Sequence, residues 1–300
     1  MANPFMIKSV SHMFLATLET SLFVIGGISA WYLINKRNTE FFSKSLKIVL
    51  VIAIAITPLQ IFVGHLSAEQ VYYYQPTKLA AMEAQWETIP AGETADWSLL
   101  AFPNEKAETN NWEINIPNAL GYILEFKPHL TNPVLGLKEF APSDRPKMVV
   151  LIYYSFRLMS GIAFILVGVV MATVVQWLRG KLSVENINQQ KLLLISWIGA
   201  APLGYLAVES GWIVRCVGRQ PWTVYGEIRT VDAVSNLPAG DVLTSLLIFL
   251  SIYTLLFFCA LFFASRIIKK GPDFDLPIPG EKAEVTLNPS QHIPDSRPIN

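Results

Sequence analysis

Apolar residues gather into five runs, near 6–34, 46–66, 148–178, 191–214 and 241–268. Each is long enough to cross a bilayer, which takes roughly 20 residues of helix. The pattern predicts an all-α fold, a polytopic membrane helical bundle with five transmembrane helices and one long polar loop. Asn3 and Pro4 suit the opening of the first helix as cap and first-turn proline, and Pro146 and Gly240-Asp241 play similar parts later. Pro58 and Pro202 fall inside apolar runs and predict kinks. The chain divides into residues 1–66 with two spans, a loop over 67–147, residues 148–270 with three spans and a short polar loop containing GRQPW, and a tail over 271–300. With six prolines and few large apolar residues, the tail is expected to be a disordered cytoplasmic extension.

The placement of positive charge sets an orientation. Lys36, Arg37, Lys44 and Lys47 follow the first span, Arg179, Lys181 and Lys191 the third, and Arg266, Lys269 and Lys270 end the last. All three clusters lie on one side, and the positive-inside rule makes that side cytoplasmic. The 67–147 loop, with eleven acidic and six basic residues, is then outside, together with the N-terminus and the GRQPW loop. The C-terminus is cytoplasmic. The N-terminal segment lacks a cleavage site after a short apolar run, so the first span is expected to belong to the mature protein. An outside N-terminus would be natural if an even number of helices once preceded it. No internal repeat of the kind found in two-fold transporters is visible.

Composition narrows the function classes. At 52% hydrophobic and 15% charged, the chain is too apolar for an ordinary soluble domain. Its 23 basic and 23 acidic residues cancel, so charge gives no reason to expect a nucleic-acid partner; the expected surroundings are membrane lipid. Two cysteines, Cys216 and Cys259, have neither disulfide-framework nor thiolate-metal spacing.

Polar residues inside spans are costly and by default mark function. The first span holds His12 and Glu19, the third Arg157 and Met159, the fourth Glu209, Arg215 and Cys216. His12 lies about 12 Å past Pro4 and Met159 about 20 Å past Pro146 at 1.5 Å per residue, similar depths in two spans that run the same way. An imidazole and a thioether facing each other can clamp a planar iron cofactor, and Arg157 could neutralise a haem propionate. The plainer alternative is a histidine bonded to a neighbouring carbonyl and an ordinary apolar methionine.

The runs KSVSHMFLATLETSLFVIGGISAWYL, QPTKLAAMEAQWET, EINIPNALGYIL with NPVLGLKEF, YYSFRLMSG and GWIVRCVGRQPWTVYGEIRTVDAVS occur in that order. Together they resemble subunit I of the cytochrome bd quinol oxidases over nearly everything before the tail, as a C-terminal part that lacks about the first four transmembrane helices. The resemblance implies that His12 and Met159 are axial ligands of a low-spin haem b, with Arg157 beside it. It implies that Lys78 and Glu83 belong to an extracytoplasmic quinol-binding loop, binding and deprotonating the quinol substrate. Five residues apart on a short helix, a cation and a carboxylate can hold a quinol oxygen and accept its proton; otherwise they are a solvated helix face. Trp212, Arg219 and Gln220 fall where the family holds its further haems. The glutamate expected just before GRQPW, which approaches the high-spin haem b iron, is replaced by Cys216. A thiolate there could bind iron, whereas the favoured reading is an inert, buried thiol. High-spin haem b and haem d would need completion by a partner.

The resulting expectation is an oxidoreductase subunit in the bacterial cytoplasmic membrane that passes electrons from quinol to a b haem for reduction of oxygen to water. Its partners would be subunit II and, if the subunit is split, an N-terminal half of subunit I. Alternatives are a quinol-linked electron-transfer module without oxygen reduction and a haem-free remnant. His65 has no assigned role, His129 and His292 are expected in loop and tail, and Tyr72, Tyr73, Tyr74, Trp86 and Trp97 as interfacial or loop-packing residues.

Overall fold

The computed structural model describes residues 4–273, with backbone alone for residues 4 and 5. The greater part of the expected tail, and His292 within it, lies outside the described residues. Among the described residues, five helical segments are long and apolar enough to cross a membrane. The chain forms two units, residues 1–235 and 236–300.

In the first unit, α1 (Pro4–Ile34) and α2 (Thr39–Tyr74) form an antiparallel pair. Ser29 and Ser45 hydroxyls meet at 2.9 Å near one end, and Lys8 pairs with Glu69 at 3.5 Å near the other. The second helix is longer than its apolar run. At 36 residues it measures about 54 Å, so its last turns extend past the hydrocarbon and form the first part of the expected loop. It runs through Pro58 without interruption.

The fourth run behaves differently. It is divided into α6 (Lys191–Ala200) and α7 (Leu203–Val217) around Pro202, which has no N–H to continue the ladder. The division lets the two pieces choose different neighbours: α6 packs mainly on α1, and α7 mainly on α5 (Val149–Leu178). Small residues permit the close approaches. A methyl group at Gly26 would overlap the Trp197 ring, and one at Gly204 would stand 2.6 Å from the Thr20 hydroxyl. Trp197 is fully buried, stacks on Phe23 at 4.9 Å and donates its indole N–H to the Thr173 hydroxyl at 2.9 Å.

Between α2 and α5 the chain builds a small lobe. It contains α3 (Pro76–Glu83), an antiparallel hairpin of β1 (Trp97–Asn104) and β2 (Thr109–Ile116), α4 (Ala119–Glu125) and two short 3-10 turns. The hairpin departs from the all-helical expectation locally, leaving the fold mainly helical. Leu79, Leu120, Leu130 and Leu137 make the lobe's apolar core, which continues onto Ile152 of α5 and Val214 of α7. Tyr72 ties the helix end to the lobe by donating to the Asn132 carbonyl at 2.7 Å. Trp86 is buried within it and donates to Asn110 at 3.0 Å. The lobe is therefore seated on the ends of the helices that carry the candidate ligands.

After α7 a second hairpin, β3 (Trp222–Val224) and β4 (Ile228–Arg229), closes the unit. The second unit contains α8 (Ala239–Lys270), with Asp241 in its first turn and Lys269 and Lys270 in its last, each complementing the helix dipole.

Candidate functional site

Helix α3 starts at Pro76, which fits a first helical turn, and Thr77 through Glu83 are all buried. Lys78 and Glu83 lie near opposite ends of this buried helix. Five residues turn about 140° around an α-helix, so the two side chains address different neighbours. Lys78 packs its stem on Gly218 at the end of α7, 3.2 Å from where a Cβ would stand. Burial, and then the charges of Arg215 and Arg219, push its ammonium down to about 8. Glu83 turns to α5 and forms a buried ion pair with Arg157 at 2.6 Å.

Arg157 is the hub of the site. Its Nε donates to the Ser98 carbonyl at 2.9 Å, and its guanidinium lies 4.7 Å from the Tyr153 ring centre and 5.0 Å from that of Trp97. Its second terminal nitrogen, Nη1, is buried with no hydrogen bond among the described residues. Neither the pairing with Glu83 nor the Ser98 and Trp97 contacts are visible in sequence, because they join segments 59 to 74 residues apart.

Two residues further along α5, the Met159 sulfur lies 3.2 Å from the position a Cβ would take on Gly211 of α7. On α1, the His12 ring lies 3.3 Å from the same position on Gly64 of α2. Helices α1 and α5 both border α2 and α7, so a histidine and a methionine line one group of four helices. The His12 Nδ1 atom is buried and makes no hydrogen bond among the described residues. An imidazole bonded to a neighbouring carbonyl is thereby ruled out at that nitrogen. An imidazole, a thioether and a guanidinium N–H without a partner among the described residues fit a planar iron cofactor that carries acidic substituents.

The remaining candidates lie around the GRQPW run. The Arg219 Nε is buried without a hydrogen bond among the described residues. Gln220 accepts a hydrogen bond from Thr230 at 2.8 Å and so holds the hairpin together. Trp212 is exposed and carries Arg215 at 5.7 Å from its ring. Cys216 is exposed as well, which corrects the expectation of a buried thiol: the face of α7 bearing Trp212, Arg215 and Cys216 is left uncovered. The same hairpin also reaches α3, where the Thr77 hydroxyl bonds the Tyr225 hydroxyl at 3.0 Å, a contact without a sequence signal. His65 packs against Phe126 at 4.4 Å, and His129 bonds the Gly92 carbonyl oxygen at 3.2 Å in the lobe.

Five apolar helices make this a polytopic membrane protein, and in its first unit a folded lobe is seated on span ends with a half-buried imidazole and thioether and a buried guanidinium among four helices. Residues 1–272 match the family model of cytochrome bd terminal oxidase subunit I, and the chain belongs to that family. It is 31% identical over 282 residues to the cytochrome bd ubiquinol oxidase subunit 1 of Bacillus subtilis (strain 168), covering 91% of this chain and 58% of the relative. Against the cytochrome bd-II ubiquinol oxidase subunit 1 of Escherichia coli (strain K12) it is 26% identical over 334 residues, covering 90% and 63%. Its fold is similar to the bd oxidase structure from Geobacillus thermodenitrificans, with a TM-score of 0.76 and 28% identity, over 90% of this chain and 59% of that one. The chain thus spans less than two thirds of the length of these relatives.

Proposed function

We propose that this chain takes electrons from a quinol at α3 and passes them to a low-spin b-type haem held by His12 and Met159. The observation that carries the reading is the Glu83–Arg157 ion pair, which connects the candidate quinol helix to the α5 segment bearing Met159. A haem bound there would supply a one-electron carrier in the bilayer. Arg157, fixed by Glu83 and the Ser98 carbonyl, keeps Nη1 for a propionate. Glu83, positioned by its ion pair with Arg157, accepts a hydrogen bond from one quinol hydroxyl and orients it for proton loss. Lys78, cationic below about pH 8, donates to the quinol and stabilises negative charge on its oxygen as the proton leaves.

The distribution of Lys and Arg supports a lobe on the outer side of a bacterial cytoplasmic membrane. Reduction of oxygen to water, with high-spin haem b and haem d, is proposed for an assembly with subunit II and the remaining subunit I helices, whether those are joined to this chain or separate. A second reading keeps quinol and haem b but omits oxygen reduction. It is favoured by Cys216, which stands where the family resemblance places an iron-binding glutamate.

The test is spectroscopic. His12→Ala and Met159→Leu are each expected to abolish the low-spin b-haem signal in membranes while the chain accumulates normally. An unchanged spectrum in both variants would exclude the ligand assignment. The ferrous carbon monoxide spectrum separates the two readings. Carbon monoxide binding by high-spin haem in the complex supports oxygen chemistry, and its absence supports the electron-transfer module.

A further inference from the structure

One buried acid has no part in the function proposed above. Glu19 lies within α1, 7% exposed, and its carboxyl faces the Thr57 hydroxyl of α2. It follows His12 by seven residues, two turns along the same helix face and about 10 Å along the axis. The contacts of α1 with α2 advance in register through Lys8 with Glu69, His12 with Gly64, Glu19 with Thr57 and Ser29 with Ser45.

The half of this seam nearest the lobe carries several polar side chains, with Leu15 buried between His12 and Glu19. The His12 Nδ1, Thr57 Oγ1 and Gln60 Oε1 atoms are buried and make no hydrogen bond among the described residues. Gln60 stands between Thr57 and Gly64 on the same face of α2. Polar atoms in this situation are the ones that ordered water serves in protein interiors. Past Glu19 in the other direction the seam closes on Leu22, Phe23, Leu50 and Ala53, all buried. Glu19 therefore communicates with one side of the membrane, the side that bears the lobe.

No fixed charge sets the protonation of this carboxyl. From α2 it meets Thr57, and that helix carries no ionisable residue between Lys47 and His65. Helix α6 has only Lys191, at its far end, and the 3-10 turn at 187–189 has none. Helix α7 approaches through Gly204 at Thr20, and its nearest ionisable groups, Tyr205 and Glu209, are exposed. On α1 itself the neighbours are His12 and Lys8, and Lys8 pairs with Glu69. The charge that changes nearby is the one at the centre bound by His12.

We propose that Glu19 is a redox-coupled proton site. Its carboxylate gains one proton when the centre held by His12 and Met159 gains one electron, and it returns that proton to the lobe side when the electron leaves. The inference rests on the haem reading above. In the balanced step the electron comes from quinol, an O–H bond forms on the Glu19 carboxylate, and the proton arrives from solvent along the polar half-seam. An added negative charge at this separation raises the proton affinity of the carboxyl on the order of tenfold at an effective dielectric constant of about 20.

The experiment is a redox titration of the low-spin haem in the purified complex between about pH 6 and pH 9, with the native chain and with Glu19→Gln, which keeps the size and polarity of the side chain. In the native protein the midpoint is expected to fall as pH rises, by about 59 mV in total for a tenfold coupling in a one-electron couple. In Glu19→Gln the low-spin spectrum is expected to persist with a flat midpoint. Reduction should also produce the infrared carbonyl band of a protonated carboxyl, shifted in heavy water, missing in Glu19→Gln and moved in frequency in Glu19→Asp. A low-spin haem whose midpoint is flat in the native protein overturns the Glu19 assignment alone, as does an unchanged slope and band in Glu19→Gln. A native complex without low-spin haem overturns the haem reading and this inference with it. Should Glu19→Gln fail to assemble, the native titration and the Glu19→Asp band still decide.

Discussion

Lys78 is a buried cation whose charge is held at the expense of the fold. Burial and two nearby arginines lower its proton affinity to about 8 from an ordinary 10.5. The unfolded chain therefore binds the proton more tightly than the folded one, and the penalty is in full force below about pH 8. It is relieved progressively as pH rises from about 8 toward 10.5, so the native protein should gain stability over that window. Lys78→Met, which keeps the stem and removes the charge, is expected to raise stability by about 3 kcal/mol at pH 7 and to abolish the pH dependence. Thermal unfolding in detergent at several pH values would show both effects, while quinol oxidation by the complex should fall at least tenfold. Arg157 works in the opposite sense. Its replacement by Leu would leave the Glu83 carboxylate buried and alone at a cost on the order of 3 kcal/mol, most of which Glu83→Gln in the same chain should restore. At this scale His12, Met159 and Arg157 could be singled out inside their spans, whereas Lys78 and Glu83, in the loop, were singled out only by the family resemblance. The partners they chose could not, because each partner arrives from a different element.

Between elements, the sequence signal was strong for length and weak for interruption. Pro58 and Pro202 look alike in an apolar run, yet α2 continues through one and α6 ends before the other. The difference lies in tertiary opportunity: the pieces on either side of Pro202 find separate partners in α1 and α5. The β1–β2 hairpin was also illegible, for its alternation is broken by irregular register at two places. Its turn nonetheless has a clear role, since Glu105 accepts the Val150 N–H at 2.9 Å at the start of α5. The contact of α1 with α6 is the one most exposed to a single substitution. Gly26→Leu must displace Trp197 and its hydrogen bond to Thr173. We expect this variant to unfold several degrees below the native protein and to lose low-spin haem in proportion, whereas Gly168→Leu, where a Cβ meets nothing within 4 Å, should leave both unchanged.

For the molecule as a whole, five spans and a lobe were legible because hydropathy reports length directly, whereas the folded interior of the lobe depends on contacts made over many tens of residues. Orientation is the property charge placement predicts most sharply. Lys106 is exposed in the turn of the hairpin. Lys106→Cys, in a chain whose Cys216 and Cys259 are replaced by Ser, should react with an impermeant thiol reagent in intact cells. Reaction only after lysis would place the lobe in the cytoplasm.

The divided fourth span also constrains the order in which this protein can be made. At 10 and 15 residues, α6 and α7 reach only about 15 and 22 Å, and neither alone crosses a hydrocarbon layer of about 30 Å. The insertion machinery must accept 191–217 as one segment. The irregular backbone between the pieces is tolerated only where protein, rather than lipid, surrounds it. That cover comes from α1, where a Cβ at Gly27 would stand 2.7 Å from Ala201. A nascent chain whose first helix is lost or delayed thus presents a broken helix to lipid, and quality-control proteolysis should begin at the fourth span.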